Sequence, residues 1–327
     1  HARCSDNIAT PEEIQNCINL VKSGKLKLRF KAIFIDEVQI FDPQYLELCY
    51  LLLEDAEDNT FLMAGDLNQT VRKKSRRGDV PWKKIAGVTL DFTGRVKYIR
   101  KNYRNSKQIG LYLCHMLQHM NERMKMLNLI DFKELEYDSF EVGETKSLAL
   151  NVKTGIGRMD ITKKTVDAIK KIAEKYKLSY SEIAVLFPYK QHDRIRYYNL
   201  YWLRQALDAE DIPYSMITSS RGGIFERKRY SDTNGVVLST IDSSLGLDFK
   251  AVIVTGLYPY NYIYGDDFYK KEISSWNTIK GMNDDDQLQV QSQMRAIYTA
   301  CSRARDVLYV LSDLKPGSPM EEILKNR

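Results

Sequence analysis

Two adjacent carboxylates offer the first sign of chemistry in this sequence. Asp36 and Glu37 follow the apolar run Ile33-Phe34-Ile35, which is typical of a buried β-strand. Ligands of open α/β sheets bind at the carboxyl ends of strands, so the two side chains would stand at a functional edge. An aspartate there can hold Mg²⁺, directly or through water, and the glutamate can polarise water that attacks a γ-phosphate. A solvated acidic turn after the strand is the simpler alternative.

A second apolar run, residues 61–65, ends in the same manner. Gly65 would let backbone approach a ligand closely, and the amide of Gln69 could orient a water or sense a phosphate. Taken alone, Gly65-Asp66 is only a turn signal.

The third segment, residues 99–106, joins an aromatic face to a fixed positive charge. Tyr103 could stack on a base, and Arg104 could bind a phosphate in bidentate fashion. A strand-to-helix turn with Ser106 as N-cap is an interpretation that can hold at the same time. Two more segments complete the set: residues 237–249, and residues 294–305, a helix that ends in arginine just before a strand.

The elements that must position these residues alternate between short apolar runs and helical patterns, which predicts parallel α/β sheets. Several runs are apolar throughout, as in strands covered on both faces. Predicted strands are 32–36, 61–65, 96–100, 147–152, 183–187, 236–240, 251–255 and 307–312, and predicted helices include 43–54, 106–121, 162–177, 193–209 and 286–304. A basic, glycine-punctuated stretch at 72–95 places a domain boundary near residue 99. Residues 1–99 hold too few strands for a full sheet, whereas 100–327 can form a complete domain.

Composition narrows the class of protein. No apolar run approaches the roughly 20 residues that span a bilayer, which predicts no membrane helix. Five scattered cysteines without a C-x-x-C pair argue against a zinc site or a disulfide framework and predict a reducing, cytoplasmic location. A net charge of +6 permits a polyanionic partner without demonstrating one.

In their order along the chain, the five segments resemble motifs II to VI of superfamily 1 DNA helicases of the UvrD/Rep type. The resemblance covers residues 32–312 and implies two RecA-like parallel sheets, one partial and one complete. It also implies ATP and Mg²⁺ as cofactors. The implied activity is an ATP-driven helicase or translocase on single-stranded DNA or DNA junctions.

The resemblance assigns a role to each matching residue. Asp36 would bind Mg²⁺, Glu37 would activate water, and Gln69 would couple the γ-phosphate to DNA, with Gln39 as a weaker candidate beside it. Tyr103 would stack on adenine, Arg104 and Arg303 would be arginine fingers, and Gly246 and Asp248 would contact the nucleotide, Asp248 replacing the usual glutamate at the ribose. Thr240 would contact DNA.

Several departures from the family are visible. No G-x-x-x-x-G-K-[ST] loop occurs, so we expect that loop upstream of residue 1 and expect this chain alone not to hydrolyse ATP. Asp242 and Leu245 replace a histidine and a lysine that contact DNA. Only about twenty residues, Ser215 to Gly235, stand where relatives insert an accessory domain, so none is expected here. Where relatives stack aromatics on bases, a basic loop could bind DNA phosphates instead, through Arg72, Lys73, Lys74, Arg76 and Arg77.

The loss of the histidine, the lysine and the stacking aromatics leaves one alternative open, a nucleotide-gated assembly module whose DNA binding has decayed. A motor that acts on RNA is a further alternative. A nuclease or repair partner cannot be identified from the sequence.

Overall fold

A computed structural model describes residues 9–55, 58–66, 84–85, 88–89, 95–97, 99, 101–127, 142–217, 234–265 and 270–325. The chain divides into two compact units, and the division falls between residues 98 and 99. The assignment of 1–99 and 100–327 to two successive motor domains stays a prediction.

The first unit is built on a pair of parallel strands. Its elements are α1 (Pro11–Lys22), β1 (Ala32–Ile35), α2 (Pro43–Leu51), β2 (Thr60–Met63) and the short hairpin strands β3 (Lys84–Ile85) and β4 (Val88–Thr89). Strands β1 and β2 pair in parallel with Ile33 opposite Phe61. Ile35, Val38 and Leu46 form a small buried cluster that holds α2 on these strands. Because the strands are parallel and in register, the residues that follow both of them meet at one edge.

The second unit contains a six-stranded parallel sheet. Its helices are α3 (Lys107–Met126), α4 (Ile161–Tyr176), α5 (Asn199–Asp208), α6 (Trp276–Lys280), α7 (Asp284–Ser302) and α8 (Pro319–Lys325). Its strands are β5 (Ala149–Lys153), β6 (Ile183–Phe187), β7 (Tyr214–Ile217), β8 (Val236–Thr240), β9 (Phe249–Val254), β10 (Tyr262–Tyr264), β11 (Lys270–Glu272) and β12 (Ala304–Leu311). The sheet order is β5-β12-β9-β6-β8-β7, with β10 and β11 forming a separate antiparallel pair.

Burial on both faces explains the apolar strand sequences. Ile183, Val185 and Phe187 of β6 pack in one cluster with residues of α4 and α5. Ala184 and Leu186 point to the other face and are equally buried. Helices α3 and α7 both contact strand β12, and the two helices also pack on each other. The predicted α/β class with parallel strands is confirmed.

The predicted element bounds were corrected in several places. The strand predicted at 96–100 is not formed at the described positions Val96, Lys97 and Ile99, whose side chains are exposed rather than buried as in a covered strand. The helix predicted at 193–209 is a 3-10 turn, Asp193–Ile195, followed by α5. Helices α1 and α8 were not predicted.

Strands β7 and β8 pair side by side, with Tyr214 opposite Val236, and residues 218–233 between them lie outside the described part. No helix among the described residues has the length and apolar character needed to cross a membrane.

Candidate functional site

The acidic pair of the first unit stands directly after β1. Asp36 is exposed and Glu37 is half-buried. The Asp36 carboxylate accepts the Glu37 backbone N–H at 2.8 Å. Glu37 itself adopts a left-handed backbone conformation with φ of 51°, which is uncommon outside glycine and turns the chain sharply. The strand therefore ends at Ile35 and does not continue into the pair.

Gln39 ties this pair to the end of the neighbouring strand. Its side chain is fully buried, donates to Glu37 Oε2 at 2.5 Å and accepts the Asp66 backbone N–H at 3.1 Å. A Cβ on Gly65 would lie 2.3 Å from Gln39 Oε1, so only glycine leaves room for this bridge. The ligand-binding role predicted for Gln39 stays a prediction; in this structure Gln39 lies against Gly65 and holds the Glu37 carboxylate.

The carboxylates at this edge are of the type that binds a divalent cation, although the described residues contain no cluster of three or more possible metal ligands. Asp36 and Asp66 follow two paired parallel strands, and carboxylate oxygens with water are the ligands that Mg²⁺ prefers. Asp36 would hold the ion, which would keep part of its hydration shell. The bound cation would neutralise charge on phosphate oxygens. Glu37 would remain available to orient a water, because Gln39 fixes its carboxylate through one oxygen.

A pocket of about 740 Å³ lies within the second unit. Its walls include Tyr103, Arg104, Asp248 and Arg305. Asp248 precedes β9, and Arg305 lies at the start of β12, so the pocket stands at the amino edge of the parallel sheet. Tyr103 is 80% exposed, which leaves its ring accessible to a ligand. The structure therefore brings together three of the predicted site residues, namely Tyr103, Arg104 and Asp248.

Two asparagines hold the Tyr103–Arg104 turn on the sheet. Asn102 accepts the backbone N–H groups of Arg104 and Asn105, both at 3.0 Å, and donates to the Asn105 side chain. The buried Asn105 donates in turn to the carbonyls of Ser302 and Ala304 at 2.9 and 2.6 Å. These carbonyls flank Arg303, so the turn is fixed to the junction of α7 and β12.

The N-terminal cap of α3 differs in one respect from the prediction. Ser106 is the N-cap residue, as predicted, but its side chain makes no capping hydrogen bond. The Ser147 hydroxyl accepts the Gln108 and Ile109 N–H groups instead, while Ser106 shares a hydrogen bond with it. These N–H groups are therefore already satisfied within the protein.

Arg303 lies behind the pocket wall. It is 0% exposed, and its guanidinium donates to the carbonyls of Thr299 and Leu247 and to the Ser302 hydroxyl. Its own carbonyl accepts the Phe249 N–H at 2.9 Å. The adjoining turn contains Gly246, whose φ of +75° favours glycine. The arginine-finger role of Arg303 stays a prediction; in this structure it holds the turn that carries Asp248.

Thr240 stands on the opposite edge of the sheet. It ends β8, and its hydroxyl donates to Ser243 Oγ at 2.9 Å. Tyr189, Tyr260 and His192 form an aromatic group after the carboxyl ends of β6 and β9. Burial, with the nearby Asp242 charge, raises the pKa of Tyr189 to about 12, so it is neutral at physiological pH. The DNA-binding role predicted for Thr240 remains untested.

The remaining predicted site residues lie outside the described part of the chain. They are Gln69 and the basic-loop residues Arg72, Lys73, Lys74, Arg76 and Arg77.

Sequence reasoning missed the residues that build the pocket wall. Asn102 and Asn105 line the pocket and were not singled out, although asparagine before and after Tyr103-Arg104 is a turn signal. Ser147, which accepts N–H groups at the start of α3, was not singled out either. Arg305 was noted only as the end of the fifth segment. Nothing in the local spacing of the sequence indicates that Arg305 lies beside Asp248.

Comparisons with known proteins identify no family. No family model matches the chain, and no curated protein matches it. Among solved structures, the C-terminal domain of a possible DNA helicase from Lactobacillus plantarum WCFS1 is 18% identical, with 67% of this chain and 91% of that chain covered and a TM-score of 0.34. The C-terminal part of the Fun30 ATPase domain is 13% identical, with coverages of 64% and 53% and a TM-score of 0.27. TM-scores this low establish neither fold nor function.

Proposed function

We propose that this chain belongs to the motor core of an ATP-driven helicase or translocase of the UvrD/Rep type that acts on single-stranded DNA. The observation that carries the proposal is the pocket of the second unit. Tyr103 and Arg104 lie far from Asp248 in the sequence, and all three line this pocket.

The pocket supplies the groups that an adenine nucleotide requires. The exposed Tyr103 ring offers a stacking face, and Lys101 Nζ lies 5.6 Å from the centroid of that ring. Arg104 offers a planar guanidinium to phosphate oxygens, and the Asp248 carboxylate can accept hydrogen bonds from ribose hydroxyls. When bound, ATP would supply the phosphoryl group.

In the first unit, the resemblance assigns Asp36 to Mg²⁺ and Glu37 to the attacking water.

Tyr103→Ala should weaken ADP binding by about tenfold, because base stacking on an aromatic ring contributes about 1–3 kcal/mol. Tyr103→Phe keeps the ring and should bind like the wild type. Titration of the purified protein with a fluorescent ADP analogue measures both. Equal affinities for the alanine and phenylalanine variants would show that the base does not stack on this residue.

The DNA part of the proposal rests on sequence resemblance and on the basic loop. One observation favours the alternative of a nucleotide-gated assembly module: Asp242 is exposed where relatives have a histidine that contacts DNA. An exposed carboxylate disfavours a neighbouring phosphate, so DNA contacts at this edge would be weakened.

Single-stranded DNA should stimulate ATP hydrolysis by the full-length protein, because a motor couples nucleotide turnover to its track. Steady-state phosphate release with and without a DNA oligonucleotide measures this, and an RNA oligonucleotide of the same sequence is the matched control. Stimulation by RNA alone would identify an RNA motor. Turnover unaffected by either oligonucleotide would support the assembly module instead.

A further inference from the structure

Two arginines at the junction of α7 and β12 have opposite surroundings. Arg303 is 0% exposed and donates to protein acceptors, including the Leu247 carbonyl at 3.2 Å. The side chain of Arg305 is 52% exposed, lines the pocket, and has Nη1 3.6 Å from Asp248 Oδ2. Of these two guanidiniums, the one that a ligand in the pocket can reach is therefore that of Arg305, beside the exposed Arg104 in the same lining.

The backbone around Arg305 is shaped to present this side chain. The pairing of β12 with β9 shifts register between Ala304 and Val307, so Arg305 lies in an irregular step of the strand. Such bulges redirect a side chain and occur often beside functional sites. The Arg305 carbonyl accepts the Ser106 N–H at 2.9 Å, which ties Arg305 to the turn that carries Tyr103 and Arg104.

The contact between Arg305 and Asp248 is one that a ligand can replace. At 3.6 Å, with both side chains more than a third exposed, the pair contributes little to stability. A phosphate offers several charged oxygens in the geometry that a guanidinium binds in bidentate fashion. If a phosphate replaced Asp248 as the partner of Arg305, the Asp248 carboxylate could accept hydrogen bonds from ribose hydroxyls.

We propose that Arg305 binds a phosphate of the nucleotide in this pocket, and that Arg303 is a positioning residue that holds the turn carrying Asp248. The proposal rests on the proposed function, since it assumes that the pocket binds a nucleotide. The two arginines, which are two positions apart, then have different roles. Arg305 contacts the ligand, and Arg303 holds the turn that carries Asp248.

The test compares ADP with adenosine, which lacks phosphates. Both affinities are measured by calorimetric titration of the wild type, Arg305→Gln and Arg303→Lys, with Lys107→Ala as a control basic residue on α3 outside the pocket lining. Arg305→Gln should lower ADP affinity about tenfold, the factor for one charge-assisted hydrogen bond, and leave adenosine affinity unchanged. Arg303→Lys should weaken ADP and adenosine alike and lower the Tm, because the turn loosens.

Each outcome separates the two proposals. A wild type that binds neither ligand overturns the nucleotide site itself, and this inference with it. Wild-type binding with unchanged ADP affinity in Arg305→Gln overturns the role of Arg305 while the nucleotide site stands. A selective loss of ADP affinity in Arg303→Lys, at unchanged Tm, would assign the phosphate contact to Arg303.

Discussion

Replacement of Arg104 by alanine should lower kcat for ATP hydrolysis in the full-length protein by about 10³-fold, the lower end of the effect of removing an arginine finger. Arg104 is exposed in the pocket lining, on a turn that Asn102 and Asn105 fix in place. On the proposed function, the Arg104 guanidinium, carried on this fixed turn, would stabilise charge that develops on the phosphoryl group in the transition state. Nucleotide affinity should therefore fall much less than kcat.

Steady-state kinetics and nucleotide titration of the same preparation measure the two effects separately. Lys107→Ala removes a neighbouring exposed positive charge that does not line the pocket, so its kcat should stay at the wild-type value. Arg104→Lys should recover only part of the rate, because an ammonium cannot bind in bidentate fashion. A near-normal kcat in Arg104→Ala would remove this residue from the chemical step.

Glu37→Gln should reduce kcat by about 10²- to 10⁴-fold, the range for loss of a positioned acid–base group. The substitution keeps an oxygen that can accept the Gln39 amide at this position, so the bridge from residue 37 through Gln39 to Asp66 can persist. Nucleotide binding and thermal stability should therefore be close to those of the wild type. The loss would lie in the step that activates water.

The control for this variant is Glu12→Gln, which makes the same change on the exposed surface of α1. Single-turnover hydrolysis separates chemistry from product release, and a Tm measured on each variant tests the fold. A Glu37→Gln enzyme with a wild-type single-turnover rate would assign water activation to another residue. A large fall in Tm would instead make Glu37 structural.

The sequence by itself predicted five of the six strands of the second sheet, all but β7, and nominated the segments that could carry chemistry. Residues 183–187 and 236–240 were predicted with the bounds that the structure shows, because an end-to-end apolar run bounded by polar residues is a local signal. The acidic pair at the end of β1 was equally visible. Val96 and Ile99 misled the prediction, since β-propensity describes residues that have a neighbouring strand, and these two are exposed.

Only the tertiary structure decided which edge of the second sheet holds the pocket and which arginine faces it. Tyr103, Asp248 and Arg305 meet at the amino edge because β9 and β12 are parallel neighbours that start together, a fact of sheet order that no local spacing encodes. Arg303 and Arg305 look alike in sequence. The first is buried because the carbonyls of Thr299 and Leu247 come within its reach, and the second is exposed because β12 shifts register at that point. A side chain's burial depends on acceptors brought from elsewhere in the chain, so residue type and periodicity could nominate both arginines but could not separate them.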